Sequence, residues 1–365
     1  MKKIIIVILI ISIGILLFAT YKQSQKDTIK IGMALGLTGD ASAWGEVSLN
    51  GAKLAVEEIN AKGGIDGKKL ELVVEDTKST SKDSVLAVSK LQDVDKVRGI
   101  IITWLDVYHG PESMLKPGVI MISPDAGVEA INGEKKYPGV FSTWYRTEVK
   151  SDVAVKHMAE SGKKKLYIIT QNDSYYITVA KFMEKAAKKY GVEIVGVDFL
   201  NPGTDIKSIL LKVRAKNPDA VFFAFYDEKL NLEFLKKKPT FLSSSTSGYG
   251  DEFVEQSYQN KDLVSLLNGI YFYSPKAPDM SFYNAYMNIY GKPPIFGAGN
   301  TYDSVYIISK AWSDNPKDID GYMRSATFKT ATFGDITFDA LGGVSTGSNY
   351  FVMKQIQKGK AVEVE

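Results

Sequence analysis

The sequence predicts an α/β fold of two doubly wound, Rossmann-like lobes. Three observations carry this: a length of 365 residues, a strand–helix alternation that runs twice along the chain, and a glycine stop, Gly63-Gly64, at the end of its first helical stretch. A chain this long exceeds one ordinary core, so two domains are expected. A repeated strand–helix–strand order builds parallel sheets, because each crossover must return over one face of the sheet.

The first series opens with Ile29 to Leu35, a short apolar run of the kind that forms a buried parallel strand. Glu46 to Asn60 follows as a helix, with Leu49, Ala52, Val56 and Ile59 on one face. Ala61-Lys62-Gly63-Gly64 ends it, glycine supplying the left-handed C-cap conformation. Leu70 to Glu75, Gly99 to Thr103 and Val119 to Ser123 read as strands, and Ser84 to Val94 as a helix. A second series starts after Phe141 to Thr147. Its strands are Leu166 to Thr170, Glu193 to Val197, Ala220 to Phe225, Phe241 to Ser243 and Gly269 to Tyr273. Its helices are Val153 to Glu160, Ile177 to Lys189 and Ile206 to Ala215. Two more helices, Phe282 to Ile289 and Thr301 to Trp312, precede short β pieces around Ile336 to Phe338 and Tyr350 to Ile356.

Composition excludes several classes of function. The apolar share of 45% and charged share of 24% are those of a globular protein. A formal net charge of +3 leaves no basic footprint for nucleic acid. The runs Lys163 to Lys165 and Lys236 to Lys238 read as solvated helix ends and loops. With no cysteine, disulfides, thiolate metal sites and cysteine nucleophiles are ruled out. Residues 1–27 read as a signal peptide or an N-terminal membrane anchor with its linker. Lys2 and Lys3 precede an apolar run from Ile4 to Ala19, broken only by Ser12 and Gly14. Leu17-Phe18-Ala19 matches the cleavage preference poorly, which favours an uncleaved anchor; either way the remainder is exported.

Ile29-Lys30-Ile31-Gly32, Leu37-Thr38-Gly39, Trp44-Gly45 and Asn50-Gly51-Ala52 lead into Glu58-Ile59-Asn60-Ala61-Lys62-Gly63-Gly64-Ile65-Asp66-Gly67-Lys68 and Glu75-Asp76. Ile122-Ser123-Pro124, Arg146-Thr147, Ser151-Asp152, Tyr302-Asp303 and Phe333-Gly334 with Ile336-Thr337-Phe338-Asp339 follow, then Gly359-Lys360. In this order the stretches resemble the type I periplasmic binding proteins, in particular the branched-chain amino acid (leucine/isoleucine/valine) binding family. The resemblance covers essentially everything after residue 28. It implies lobes that interleave along the chain: 28–144 with 275–332, and 145–274 with 333–365. Crossovers near Thr143 to Tyr145, Ser274 to Ala277 and Phe333 to Asp335 would form the hinge, closing around a solute.

The resemblance also implies a site. Trp44, Tyr175, Tyr226 and Tyr302 fall where the family places side chains in its cleft, and aromatics there would supply apolar area with hydrogen-bonding edges. Trp104 and Trp144 have weaker positional support. The family holds a ligand carboxylate with hydroxyls after its third and fourth strands. Here Asp106 falls near the family's serine and Gly127 replaces its threonine. Two carboxylates in contact repel by about 4 kcal/mol at an effective dielectric of 20. The stretch expected to hold the acid for the ligand ammonium reads Phe241 to Thr246, with Ser245 near that position. The expectation is therefore a neutral polar or cationic solute (amino acid-like, amide or cationic), with Asp106 or Asp125 accepting hydrogen bonds and aromatics packing its body, by cation–π contact if it is charged. Both aspartates could equally cap helices or face solvent.

Catalysis is not expected. Of the two histidines, His109 recurs with Asp106 and Glu112 at every third residue, but no second ligand cluster, phosphate loop or nucleophile elbow accompanies them. His157 reads as an ordinary residue on a helix face. No cofactor or metal is implied. The implied partners are a small-molecule solute and the permease subunits of an ATP-driven importer, the chain acting as a monomer. The alternative is a ligand-sensing receptor domain that signals to a membrane partner.

Overall fold

The structure is a computed structural model, which describes residues 28–104, 110–132, 135–201, 203–225, 227–237, 246–251, 254, 261–275, 280–291, 294, 297–345 and 351–364. The chain divides into two compact units that interleave in sequence. One runs to Asp125 and adds Tyr137–Phe141 and Tyr290–Ser325. The other comprises Ala126–Lys136, Ser142–Ile289 and Ala326–Glu365. We call them the first and second lobes.

The first lobe is built on five strands: β1 (Thr28–Leu35), β2 (Lys69–Asp76), β3 (Gly99–Ile102), β4 (Ile120–Ser123) and β5 (Val140–Ser142), whose last residue falls in the second lobe. Their order in the sheet is β2-β1-β3-β4-β5. β1 pairs in parallel with both β2 and β3, with Ile31 opposite Leu72 and Gly99. Ile31, Met33, Ala34, Ile100, Ile101 and Ile102 are wholly buried, as sheet residues covered on both faces must be. Helices Ser42–Ala61, Ser81–Asp93 and Ala298–Asp314 belong to this lobe. The first and last touch closely at Gly51, where a Cβ would stand 2.1 Å from the Ala298 carbonyl oxygen, so no other residue fits. This accounts physically for the glycine in Asn50-Gly51-Ala52.

The second lobe repeats the arrangement. Its strands are β6 (Lys165–Gln171), β7 (Glu193–Leu200), β8 (Ala220–Ala224), β9 (Ser247–Gly250) and β10 (Tyr271–Pro275). Two more belong to the same sheet, β13 (Phe351–Gln357) and β14 (Lys360–Val364), while β11 (Phe328–Thr330) and β12 (Gly334–Ile336) form a separate antiparallel pair. The large sheet runs β14-β13-β10-β9-β8-β6-β7, parallel from β7 to β10 and antiparallel from there on. Thr147–Glu160, Ser174–Tyr190 and Ile206–Lys216 are the main helices. A core of Ile169, Val213, Val221, Phe223, Phe234, Leu267 and Phe272 fills one side of the sheet.

The first five strands of each lobe thus share one order, with the first strand between the second and the third. The crossovers leave that first strand in opposite directions. Its junction with the third strand, β1/β3 or β6/β8, is the topological switch point, beside which doubly wound sheets bind ligands at their carboxyl ends.

The reading of Phe241 to Ser243 as a strand lies outside the described residues, and the strand that pairs with β8 is Ser247–Gly250. His157 proves to be buried, with Nδ1 3.2 Å from the Tyr249 hydroxyl and its ring against Tyr249 and Tyr271. Burial holds its pKa below the ordinary value, the nearby Glu160 opposing that shift.

Candidate functional site

In the first lobe the strand ends gather two tryptophans and an acid. Trp44 stands in the first turn of the Ser42–Ala61 helix, which follows β1. Trp104 lies two residues past the end of β3, and the two rings are 6.5 Å apart. Trp104 has φ of +80°, a strained conformation for a side-chain-bearing residue. Asp125, two residues past β4, supports it: its Oδ2 accepts a hydrogen bond from the Trp104 N–H at 2.9 Å. Trp104 therefore belongs with Trp44. Thr103 beside it is wholly buried, and among the described residues its hydroxyl has no hydrogen-bond partner.

The loop after β1 is braced from β2. Asp76 accepts from the backbone N–H groups of Leu37, Thr38 and Lys78 and from the Thr38 hydroxyl. Burial pushes its carboxyl up, but these hydrogen bonds outweigh that and hold it below the usual carboxylate range. Tyr302 is engaged elsewhere in the lobe. Its hydroxyl and that of Tyr306 donate to Glu58 Oε2 at 2.7 Å and 2.8 Å, a contact between the Ser42–Ala61 and Ala298–Asp314 helices. Burial, with Glu58 adding to it, raises the Tyr302 hydroxyl far above its ordinary pKa and takes Tyr306 to about 12.

The second lobe gathers tyrosines around two buried charges. Asp173 caps the Ser174–Tyr190 helix, its side chain accepting from the Tyr176 N–H at 3.0 Å. That cap sets Tyr175 and Tyr176 just past the end of β6, their ring centroids 5.0 Å apart. Tyr175 receives a hydrogen bond from the ammonium of the buried Lys150. Tyr176 donates to Asp251 Oδ2 at 2.8 Å, and Asp251, 1% exposed, is the residue immediately after β9. Gln171, the last residue of β6, accepts from the Asp227 N–H at 3.1 Å and so ties the ends of β6 and β8 together.

Gly127 falls in the second lobe. A Cβ there would lie 2.7 Å from Glu129 Oε1, and that oxygen accepts from the Thr147 N–H at the start of the Thr147–Glu160 helix. A side chain at this position would push the Glu129 carboxylate away from the Thr147 N–H it accepts from. Asp106, His109 and Tyr226 lie outside the described residues. Glu112, grouped with Asp106 and His109 by spacing, accepts from the Gly110 N–H. Among the described residues no cluster of three or more His, Asp or Glu side chains could hold a metal.

Sequence reasoning missed Asp251 and Lys150. Asp251 was reachable, since an acid closes the Ser-Gly-Tyr-Gly strand. With a strand read at Phe241 to Ser243, the residues just past it are serines, and Asp251 drew no attention. Lys150 carried no signal, because a lysine on a helix ordinarily faces water.

Two doubly wound lobes of the same strand order, each with aromatic and charged side chains past its strand ends, have the arrangement in which such sheets bind small molecules. The chain belongs to the periplasmic binding protein family, whose model matches residues 28–360. It is 26% identical over 344 residues to the leucine-, isoleucine-, valine-, threonine- and alanine-binding protein of Pseudomonas aeruginosa, which covers 89% of each chain. A solved structure of the branched-chain amino acid transporter substrate-binding protein LivJ from Streptococcus pneumoniae, in complex with isoleucine, is 25% identical. It has a TM-score of 0.73 and covers 92% of this chain and 99% of its own. A solute-binding protein of an R. palustris ABC transporter, in complex with benzoate, shares the fold at 19% identity. Its TM-score is 0.74, with 92% of this chain and 95% of its own covered. The chain is accordingly a solute-binding protein, not an enzyme, and works on the extracytoplasmic side. Among the described residues no helix is long and apolar enough to cross a membrane.

Proposed function

We propose that this chain is the recognition subunit of an ABC importer, capturing an amino acid-like zwitterion between its lobes by hinge closure. The observation that carries this reading is Asp251, a buried acid at the end of β9 beside the tyrosines that follow β6. It supplies the anion for a ligand ammonium that the stretch Phe241 to Thr246 lacks, and so removes one argument against an amino acid. The relatives named for leucine, isoleucine and valine point the same way.

In this reading Trp44 and Trp104 pack the solute's apolar body, and Asp125 holds Trp104 in place. Tyr175 contacts the polar end of the solute, with Asp106, Gly127 and Tyr226 as further lining residues. Tyr302 supports the first lobe from its contact with Glu58. The hinge is assigned to the segments near Thr143 to Tyr145, Ser274 to Ala277 and Phe333 to Asp335, between lobes of 28–144 with 275–332 and 145–274 with 333–365. The closed monomer presents itself to permease subunits, and residues 1–27 tether it to the membrane.

Calorimetric titration of the purified protein with the twenty L-amino acids tests the solute class. We expect saturable binding of at least one aliphatic amino acid and its loss in D251N. Absence of heat with all twenty would overturn the amino acid assignment.

A further inference from the structure

Lysine is among the residues least often fully buried, yet Lys150 is 0% exposed. It projects from the second turn of the Thr147–Glu160 helix. Its ammonium nitrogen lies 4.6 Å from the ring centroid of Tyr175, 4.9 Å from Tyr145, 5.7 Å from Tyr273 and 5.8 Å from Trp144. These rings come from the segment after β5, the helix after β6, and β10. Several aromatic faces around one point form the kind of cage with which proteins recognise ammonium ligands. Here the chain's own ammonium fills it, and of the aromatics the sequence suggested for the cleft only Tyr175 is among these four rings.

The same nitrogen donates a hydrogen bond to the Tyr175 oxygen. A phenol carries one proton and accepts at its oxygen, whereas an ammonium can only donate. With Lys150 occupying the accepting side, the Tyr175 O–H cannot point back toward it and must donate elsewhere. Polarisation by the cation makes it a stronger donor.

We propose that Lys150 is the positioning residue that fixes the sense of Tyr175, so that the second lobe selects solutes carrying a carboxylate and disfavours an ammonium at that point. This rests on the reading that Tyr175 meets the solute. Asp251 is the other buried charge of the cluster, reached through Tyr176, whose ring stands against Tyr175. The lobe thus holds one buried cation, on the helix after β5 and against the Tyr175 that follows β6, and one buried anion just past β9, matching the two ends of a zwitterion.

The test uses the full chain labelled with 13Cζ-tyrosine, the Tyr175 resonance being assigned by its absence in Y175F. The probes are L-leucine, benzoate and isoamylamine, which is leucine without its carboxylate. We expect a carboxylate probe to move the Tyr175 resonance and bind, and isoamylamine to do neither. In K150M the carboxylate probe should bind at least tenfold more weakly, while K150R, which keeps the charge, recovers most of the loss. The K150M/Y175F double variant should bind no more weakly than K150M alone. A Tyr175 resonance that answers isoamylamine as strongly as the carboxylates, or none of the three probes, overturns the proposal. So does K150M binding with unchanged affinity. Leucine binding by calorimetry with a silent Tyr175 overturns it while leaving the amino acid reading intact. Benzoate binding through Tyr175 in place of leucine sinks the amino acid reading and supports the role of Lys150.

Discussion

The two lobes place an aspartate at the same topological position and use it differently. Asp125 follows the fourth strand of the first lobe and Asp251 the fourth strand of the second. Asp125 braces backbone: its oxygen holds the N–H of a residue strained at positive φ, and so aims the Trp104 ring toward Trp44. Asp251 braces a side chain, the Tyr176 hydroxyl, inside a cluster that also buries Lys150. The first lobe's strand ends are therefore shaped by main-chain geometry and present apolar rings. The second lobe's are shaped by buried charge and present hydroxyls. One fold repeated within a chain need not repeat its chemistry, because the strand order fixes only where side chains stand.

The largest effect that would break this comparison is expected at Asp251. D251A leaves a buried tyrosine hydroxyl without its charged acceptor, which costs about 2–3 kcal/mol. Urea unfolding followed by tyrosine fluorescence should show that loss, and a loss below 0.5 kcal/mol by order of magnitude would mean the Tyr176 bond is not maintained.

D125A should cost less, about 1–2 kcal/mol, since it frees one backbone N–H and lets Trp104 relax from its strained φ. Its signature is tryptophan emission shifted to longer wavelength as the Trp44–Trp104 contact loosens. An unchanged spectrum would show that Asp125 does not aim the ring.

A cap in the second lobe comes next. D173A removes the acceptor of the Tyr176 N–H and should cost about 1 kcal/mol. Unlike T80A, which removes the equivalent cap of Ser81–Asp93 in the first lobe, it should also weaken solute binding, because Tyr175 and Tyr176 begin the capped helix. Equal binding in the two variants would erase that distinction.

The smallest effect is a pH dependence confined to the second lobe. Burial depresses the folded-state pKa of His157 below its unfolded value of about 6.5. The unfolded chain then binds the proton more readily, so the stability His157 contributes is complete above about pH 6.5 and falls as pH drops toward the depressed value. Thermal melts between pH 7.5 and 5 should lose stability in the wild type and lose less of it in H157Q. Parallel curves for the two proteins would remove His157 as the cause.

The sequence by itself determined the two-lobed parallel architecture. Runs such as Ile31 to Leu35 and Ala220 to Phe225 are apolar on both faces, and their alternation with helical stretches along the chain suits a covered parallel sheet. The motif glycine Gly51 was also legible, and the structure supplies its reason in the backbone of Ala298. Tertiary structure decided the chemistry of the strand ends. Asp251 went unread because Ser247–Gly250 is short and weakly patterned, and the sequence reading put its strand at Phe241 to Ser243, outside the described residues. Lys150 lay beyond any local pattern. The four rings that surround it come from Trp144, Tyr145, Tyr175 and Tyr273, separated by up to well over a hundred positions in sequence. Whether a lysine is solvated or caged depends on which distant segments the fold brings to it. Periodicity along one helix carries no trace of that.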